Sequence, residues 1–521
     1  MSLATFDLEI ETESKNGPKT ETKPGTKSAA VERPSETAKA LRFLRERWTI
    51  FLLVSTIVLI PCLWHRHIEA GDLGSHEYIS WIANLVAHGR VPGLFIAHHQ
   101  WNNIVVDFGL SWLGPLLGYA VAAKIVVSAC ALTFFWGAFV FIAASTRRVP
   151  WAVAPAIAIV TYGFTFYAGF MNFYLSVGLA FFAIAITWRG SRSDWLIGAI
   201  LAALSLVAHP MGFGLLVAMV IYIHVAESVP SRYRWLVLVA SLLLVVAVHF
   251  ALPHFFHTES WRGTKPLAMN GSDQLVLFRF AYVYLALAAF AFGSCAFLVA
   301  AFVDHNRENL APRIRTPIEL WTIFVIAATM VPAAIWLPEY TNAVSAINTR
   351  MTTVTAILGL CILGAVAPRK WIFGGLSALA LVFFALQYHD TGVFNTMEKQ
   401  ADTLVASLPY GSKVSYTIDQ GSFSRINSLH FVDRACIGRC FSFSNYEPGS
   451  KQFRVRLSPG GSSIVSQDGL DLEQGNYVVK EQDLPLYQIY QPDDHDLTKL
   501  AIRPLAAGEK NGRIGHRIPQ D

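Results

Sequence analysis

Charge is what this sequence is short of. Asp, Glu, Lys and Arg make up 15% of its 521 residues, against roughly 25% in soluble proteins, while 53% are hydrophobic. The mean hydropathy of +0.41 excludes an ordinary soluble domain. Within the apolar runs there is no row of acidic or basic side chains, which argues against an ion-coupled transporter whose proton or sodium path requires them. A Gly-x4-Gly-Lys-[Ser/Thr] stretch to cradle the phosphates of ATP is also missing. Met1–Glu13 lacks the basic start and apolar core of a secretory signal. No internal repeat with a period of roughly 20 to 50 residues is present. The formal net charge of +5 comes from short basic clusters between apolar runs. That pattern speaks of membrane topology and not of nucleic-acid binding.

Cysteine is scarce too. Of six, Cys62, Cys130, Cys295 and Cys361 lie in or beside apolar runs, where they act as small buried hydrophobes. Cys436 and Cys440 lie close together in the polar C-terminal part. No second ligand pair is near enough for zinc. A local disulfide is the expectation if that part is outside the cell, and two free thiols otherwise.

What the sequence does have is apolar runs of about 20 residues, recurring from Trp48 to Tyr388, each long enough to cross a hydrocarbon core. Arg42, Arg45 and Arg47 precede the first, so it predicts an uncleaved anchor with a cytoplasmic N-terminus. Later turns carry Arg147 and Arg148, Arg189 and Arg192, Arg232 and Arg234, Arg307 to Arg315, and Arg369 with Lys370. Placing all of these inside yields about eleven spans and leaves the C-terminal part outside. The reading requires Ile104–Tyr119, which holds Asp107, Gly109, Gly114 and Pro115, to be interfacial or re-entrant. The fold class is therefore an all-α polytopic membrane bundle with a small α+β extracytoplasmic C-terminal domain. Residues 1–40 form a disordered cytoplasmic tail, 41–389 the transmembrane part with an outer loop at 65–120, and 390–521 the outer domain. In that domain a helix at 393–408 precedes short strands near 413–418, 452–457 and 476–479. The location follows: a multi-pass protein of the inner cell membrane.

The outer loop opens Glu69-Ala-Gly-Asp72-Leu-Gly-Ser75-His76-Glu77-Tyr78. Ser75 can cap an amphipathic helix running to Arg90, so Asp72 stands at a helix entrance with His76 and Glu77 in the first turn. A carboxylate within reach of a histidine and a second carboxylate suits general-base work or divalent-cation binding. Complementing the helix dipole is the plainer alternative. Further along, Trp101, Asn102 and Asn103 supply an aromatic face and amides suited to a carbohydrate, although Trp is also a common interfacial anchor. The adjacent His98 and His99 diverge on any regular element and make a weak metal pair. Arg350 is a lone cation on the outer side, able to grip a lipid-linked phosphate or to snorkel.

Taken together, a basic-flanked first span, an outer loop with an acid before a surface helix, an interfacial segment containing proline and a many-span bundle resemble the GT-C class of glycosyltransferases. That class includes protein mannosyltransferases and lipid A aminoarabinose transferases. The resemblance is architectural over roughly residues 45–390, with Asp72 as its motif-level anchor. It implies a polyprenyl-phosphate sugar as donor and the membrane lipid as surroundings. Asp72 would be the catalytic base or a metal ligand, with His76 and Glu77 beside it and a divalent cation as the cofactor the class allows. Many such enzymes carry a second acid in the next outer loop. Here Tyr162–Tyr174 holds none, and Asn172, able to bind sugar hydroxyls, cannot serve as a base. The competing classes are a flippase or exporter of a lipid-linked saccharide, and a non-catalytic envelope scaffold.

Overall fold

In hydrocarbon every backbone N–H and C=O must be satisfied within the spanning segment, and the helix does this locally. The computed structural model describes residues 45–260, 269–303, 307–366, 369–419, 424–426, 430–493 and 495–512, with Ser35, Thr37, Ala38 and Arg42 ahead of them. The tail expected to be disordered, apart from Ser35, Thr37 and Ala38, lies outside the described residues.

Helices cover the apolar runs: α1 (Trp48–Leu63), then, beyond the first long loop, α4 (Tyr119–Thr146), α5 (Ala154–Thr161), α6 (Met171–Thr187), α7 (Arg192–Ala208), α8 (Pro210–Ser228), α9 (Arg234–Phe255), α10 (Ala281–Val303), α11 (Arg307–Met330), α12 (Ile347–Gly364) and α13 (Lys370–Ala406). Seven helices, counted among the described residues, are long and apolar enough to cross a membrane. The long loop contributes α2 (Leu73–Ala87), β1 (Leu94–Ile96) and α3 (Val105–Leu117). That last helix, 13 residues ending at Gly118 with φ +83°, is the segment expected to stay at the interface.

The bundle packs tightly inside and is greasy outside. A Cβ on Gly137 would lie 2.4 Å from the carbonyl oxygen of Gly178, so two glycines let α4 and α6 approach backbone to backbone. Phe134 stacks on Tyr174 across that contact at 4.4 Å. Trp195 and His224, near opposite ends of α7 and α8, meet at 5.1 Å, which makes these helices an antiparallel hairpin about His209. In contrast, no residue of α9 is buried, and Leu243, Leu244, Phe250 and Leu381 are all more than 60% exposed. Contiguous apolar surface of this kind suits lipid and not water.

The two ends of the bundle differ. At one, the basic turns meet: Arg234 pairs with Glu319 at 2.7 Å, Arg315 donates to the Ser231 carbonyl at 2.9 Å, and Arg148 to that of Ala365 at 3.3 Å. At the other, the long loop, the segments after α9 and α11, and the C-terminal part come together. There β2 (His257–Glu259) pairs antiparallel with β3 (Ala334–Trp336).

The C-terminal part does not begin at a break. The boundary expected at 389/390 falls inside α13, one unbroken helix of 37 residues. Beyond it, β4 (Lys413–Thr417) lies between β5 (Phe441–Ser442) and β7 (Leu486–Tyr490), parallel to both, and β8 (Ala501–Leu505) closes the sheet antiparallel to β7. The expected strand at 452–457 appears as β6 (Val455–Leu457), which leaves this sheet to pair antiparallel with β1 of the long loop. The stretch 476–479 contributes one isolated bridge, Val478 to Lys510. Cys436 and Cys440 are joined as a disulfide.

Candidate functional site

Asp72 ends a turn whose backbone is clamped from two sides. The Gly71 and Asp72 N–H groups donate to the carbonyls of Tyr167 and Ala168 at 2.7 and 3.2 Å, in the aromatic segment that follows α5. Gly169, at φ +83°, is needed there: a Cβ would come within 2.3 Å of the Asp72 nitrogen. From the other side the backbone at His430 presses on α2, since a Cβ on Gly74 would lie 2.2 Å from the His430 carbonyl oxygen. Three distant stretches of sequence therefore meet at the entrance of α2.

His430 precedes the short helix Phe431–Ala435 and is buried, at 1% exposure. Its Nδ1 lies 3.0 Å from Asp433 and 3.7 Å from Glu473, and shares a 2.7 Å hydrogen bond with the Tyr416 hydroxyl. Asp433 also accepts from Asn445 at 2.6 Å and from the Ser442 hydroxyl. On the far side of the ring, Nε2 has no hydrogen-bond partner and faces Asp72 Oδ1 at 3.8 Å. Burial would lower the imidazole's pKa, but Glu473 and Asp433 outweigh it and hold it at about 10. Burial drives Glu473 up to about 8 despite the attraction of His430. His430, Asp433 and Glu473 each bring one ligand atom within 4.8 Å of the others, as a metal site needs.

Arg350, at the start of α12, lies over the face of Phe170 at 3.9 Å, one residue from Gly169. It is within electrostatic reach of Asp72 and Tyr446. Its Nε is buried without a hydrogen-bond partner, and no carboxylate among the described residues stands at ion-pair distance. The Tyr446 ring packs 5.7 Å from that of His430. Asp72, Arg350, Tyr446 and His430 thus surround one spot.

The other expected residues have separate duties. His76 faces Asp107 at 3.0 Å and Glu447 at 3.8 Å. Burial opposes its charge, yet the two carboxylates raise it to about 10. Burial lifts Glu447 to about 7 even beside His76. Asn172, expected at the sugar, is committed elsewhere: its Oδ1 accepts from the Val106 N–H at 2.9 Å and its Nδ2 donates to Asp107 at 3.2 Å and to the Asn103 carbonyl at 3.2 Å. Asn103 holds φ +57°, and Asn102 accepts from Gln100 through its carbonyl at 3.0 Å. Trp101 is 56% exposed.

Glu77 turns away from Asp72. It accepts from Arg434 at 2.8 Å in a buried knot where the same guanidinium also reaches Glu69 at 3.1 Å and Glu398 at 2.7 Å. Burial pushes Glu77 up to about 7 although Arg434 opposes it. Burial likewise lowers the adjoining His67 to about 4. Glu77 is accordingly a structural partner of the C-terminal part and not a companion of Asp72.

The residues that sequence reasoning did not single out are His430, Asp433, Glu473, Tyr446 and Glu447. One signal was available: His430-Phe-Val-Asp433 places an imidazole and a carboxylate three apart, on one face of a helical turn. No family model, curated protein or solved structure matches the chain.

Proposed function

We propose that the chain is a membrane glycosyltransferase-like enzyme of the GT-C kind, moving a sugar from a polyprenyl-phosphate donor to an envelope acceptor. In this reading it is a protein of the inner membrane with about eleven spans, a cytoplasmic N-terminus and an extracytoplasmic C-terminal domain. The arginine end faces the cytoplasm and the Asp72 end faces out. The contact of Thr37 with Asp194 at 2.6 Å, which keeps the N-terminal segment at the arginine end, is in keeping with that orientation.

The observation that carries the reading is the juxtaposition of Asp72 with the unpaired Arg350 guanidinium. A carboxylate accepts the proton of an acceptor nucleophile as that nucleophile bonds to the anomeric carbon. A nearby cation stabilises the lipid phosphate that leaves with the electron pair of the broken C–O bond. Tyr446 offers an aromatic face for the sugar ring, while Phe170 seats the guanidinium. With Asn172 occupied by α3, the acids nearest Asp72 from the C-terminal part are Asp433 and Glu473, which reach it only through the ring of His430.

The test is transfer in proteoliposomes from a polyprenyl-phosphate sugar. Asp72→Asn should lower kcat by about 100-fold or more. Arg350→Ala should chiefly raise KM for the donor. Transfer at the wild-type rate by Asp72→Asn, or passage of a lipid-linked saccharide across the bilayer without transfer, would remove the reading.

A further inference from the structure

The second histidine site has a geometry of its own. His430 Nδ1, Asp433 Oδ2, Glu473 Oε1 and the Tyr416 hydroxyl form a closed group of four polar atoms. Five of its edges are 3.0 Å (His430 to Asp433), 3.7 Å (His430 to Glu473), 2.7 Å (His430 to Tyr416), 3.4 Å (Tyr416 to Asp433) and 3.3 Å (Tyr416 to Glu473). The sixth, Asp433 to Glu473, is within 4.8 Å; a tetrahedron whose edges average about 3.5 Å has its centre about 2.1 Å from each corner, close to a zinc bond to nitrogen or oxygen. An imidazole with two carboxylates is a donor set for such a borderline ion, not for calcium or magnesium, which favour oxygen alone.

A separate observation lies on the opposite edge of the ring. Nε2 of His430, in a side chain 1% exposed, has no hydrogen-bond partner and points to Asp72. A histidine that binds a metal through one nitrogen carries its proton on the other, and that N–H is normally given to a carboxylate. Asp72 stands where that carboxylate belongs.

We propose that His430, Asp433 and Glu473 bind a zinc-class divalent cation, with the Tyr416 hydroxyl at the fourth corner and Asp72 outside the ligand set, accepting from His430 Nε2–H. The ion would sit in the C-terminal part and act on Asp72 through the ring, fixing the carboxylate's orientation. Binding requires His430 Nδ1, Asp433 and Glu473 all to be free of protons, and those they carry pass to solvent. Only the role given to Asp72 rests on the transferase reading; the cation site stands on the geometry alone.

Co2+ is the probe, because its visible spectrum reports tetrahedral coordination. Full-length protein in detergent is stripped with a chelator and titrated with Co2+, with retention on gel filtration as the folding control. Wild type should bind one ion with a tetrahedral spectrum that Zn2+ displaces. Glu473→Gln, at a partly accessible side chain, and His430→Gln should each lose that spectrum. Asp72→Asn should keep the spectrum and bind about 10- to 100-fold more weakly, as expected for an outer-shell carboxylate. Folded wild-type protein that takes up no Co2+, or Glu473→Gln that binds like wild type, would overturn the site. A spectrum abolished by Asp72→Asn would make Asp72 a direct ligand and overturn the arrangement. No sugar donor is present, so failure here and failure of the transferase reading are read separately.

Discussion

The two ends of the bundle use arginine in opposite ways. At the arginine end, Glu319 is shared by Arg234 at 2.7 Å and Arg315 at 3.1 Å, so cations outnumber the acid they hold. At the Asp72 end, one Arg434 serves Glu69, Glu77 and Glu398, and one His430 lies among Asp72, Asp433 and Glu473. The first arrangement tolerates loss of a partner; the second does not, because Arg434 is the cation that Glu69, Glu77 and Glu398 share, and His67, 3.7 Å from Glu398, is held uncharged by burial. An excess of buried acid therefore marks the end where chemistry is expected, and it gathers residues that are far apart in the chain.

Removing one arginine from each end tests this contrast most severely. Arg434→Ala should cost about 3–5 kcal/mol, since it strands three buried glutamates, and should lower the thermal midpoint steeply or prevent recovery of folded protein. Arg234→Ala should cost on the order of 1 kcal/mol, because Glu319 keeps Arg315 and the Tyr222 hydroxyl at 3.0 Å. Equal losses would dissolve the distinction between the ends.

A smaller effect sharpens it. Gly169→Ala places a Cβ against the Asp72 backbone at φ +83°, with a backbone cost of about 1–3 kcal/mol. The displaced carboxylate should cost about 100-fold in transfer rate. Gly214→Ala in α8, with open space around it, should leave both stability and transfer unchanged. Matching thermal scans and transfer assays of the two variants decide the matter.

The smallest effect is one of pH. Glu77 is raised from 4.5 to about 7, so between those values the folded chain holds a proton that the unfolded chain has released. Its contribution to stability is fully present below pH 4.5 and is lost as pH rises through 7. Glu77→Gln should therefore flatten the fall in thermal midpoint between pH 5 and 7 by about a few degrees. A wild-type midpoint that rises across this interval, with the same rise in the variant, would count against a protonated Glu77.

Much of the bundle was legible because hydrocarbon leaves a segment few options. Apolar length and the arginines at its turns marked nearly every helix, and the glycines and proline of 104–119 set that segment apart. Asp72 was legible as a residue at a helix entrance. Its surroundings were not. Arg434 reaches Glu77 across 357 positions, and β6 was readable as a strand but not as the partner of β1. Asn172 has the chemistry of a sugar ligand, but its amide fastens α3. In each case the local signal named the residue type correctly, while the partner was chosen by a contact with no local trace.

The unbroken helix 370–406 has a mechanical consequence. At about 1.5 Å per residue it is a rod of about 55 Å, with one part in the apolar bundle and Glu398, near the other end, gripping Arg434. A rod cannot lean in the bilayer without carrying its far end along. A mismatch between lipid thickness and apolar length, which a bundle relieves in part by tilting, is thereby passed to the junction where Arg434 holds Glu69, Glu77 and Glu398. The same protein reconstituted in thin and thick membranes would hold its polar crown at different angles.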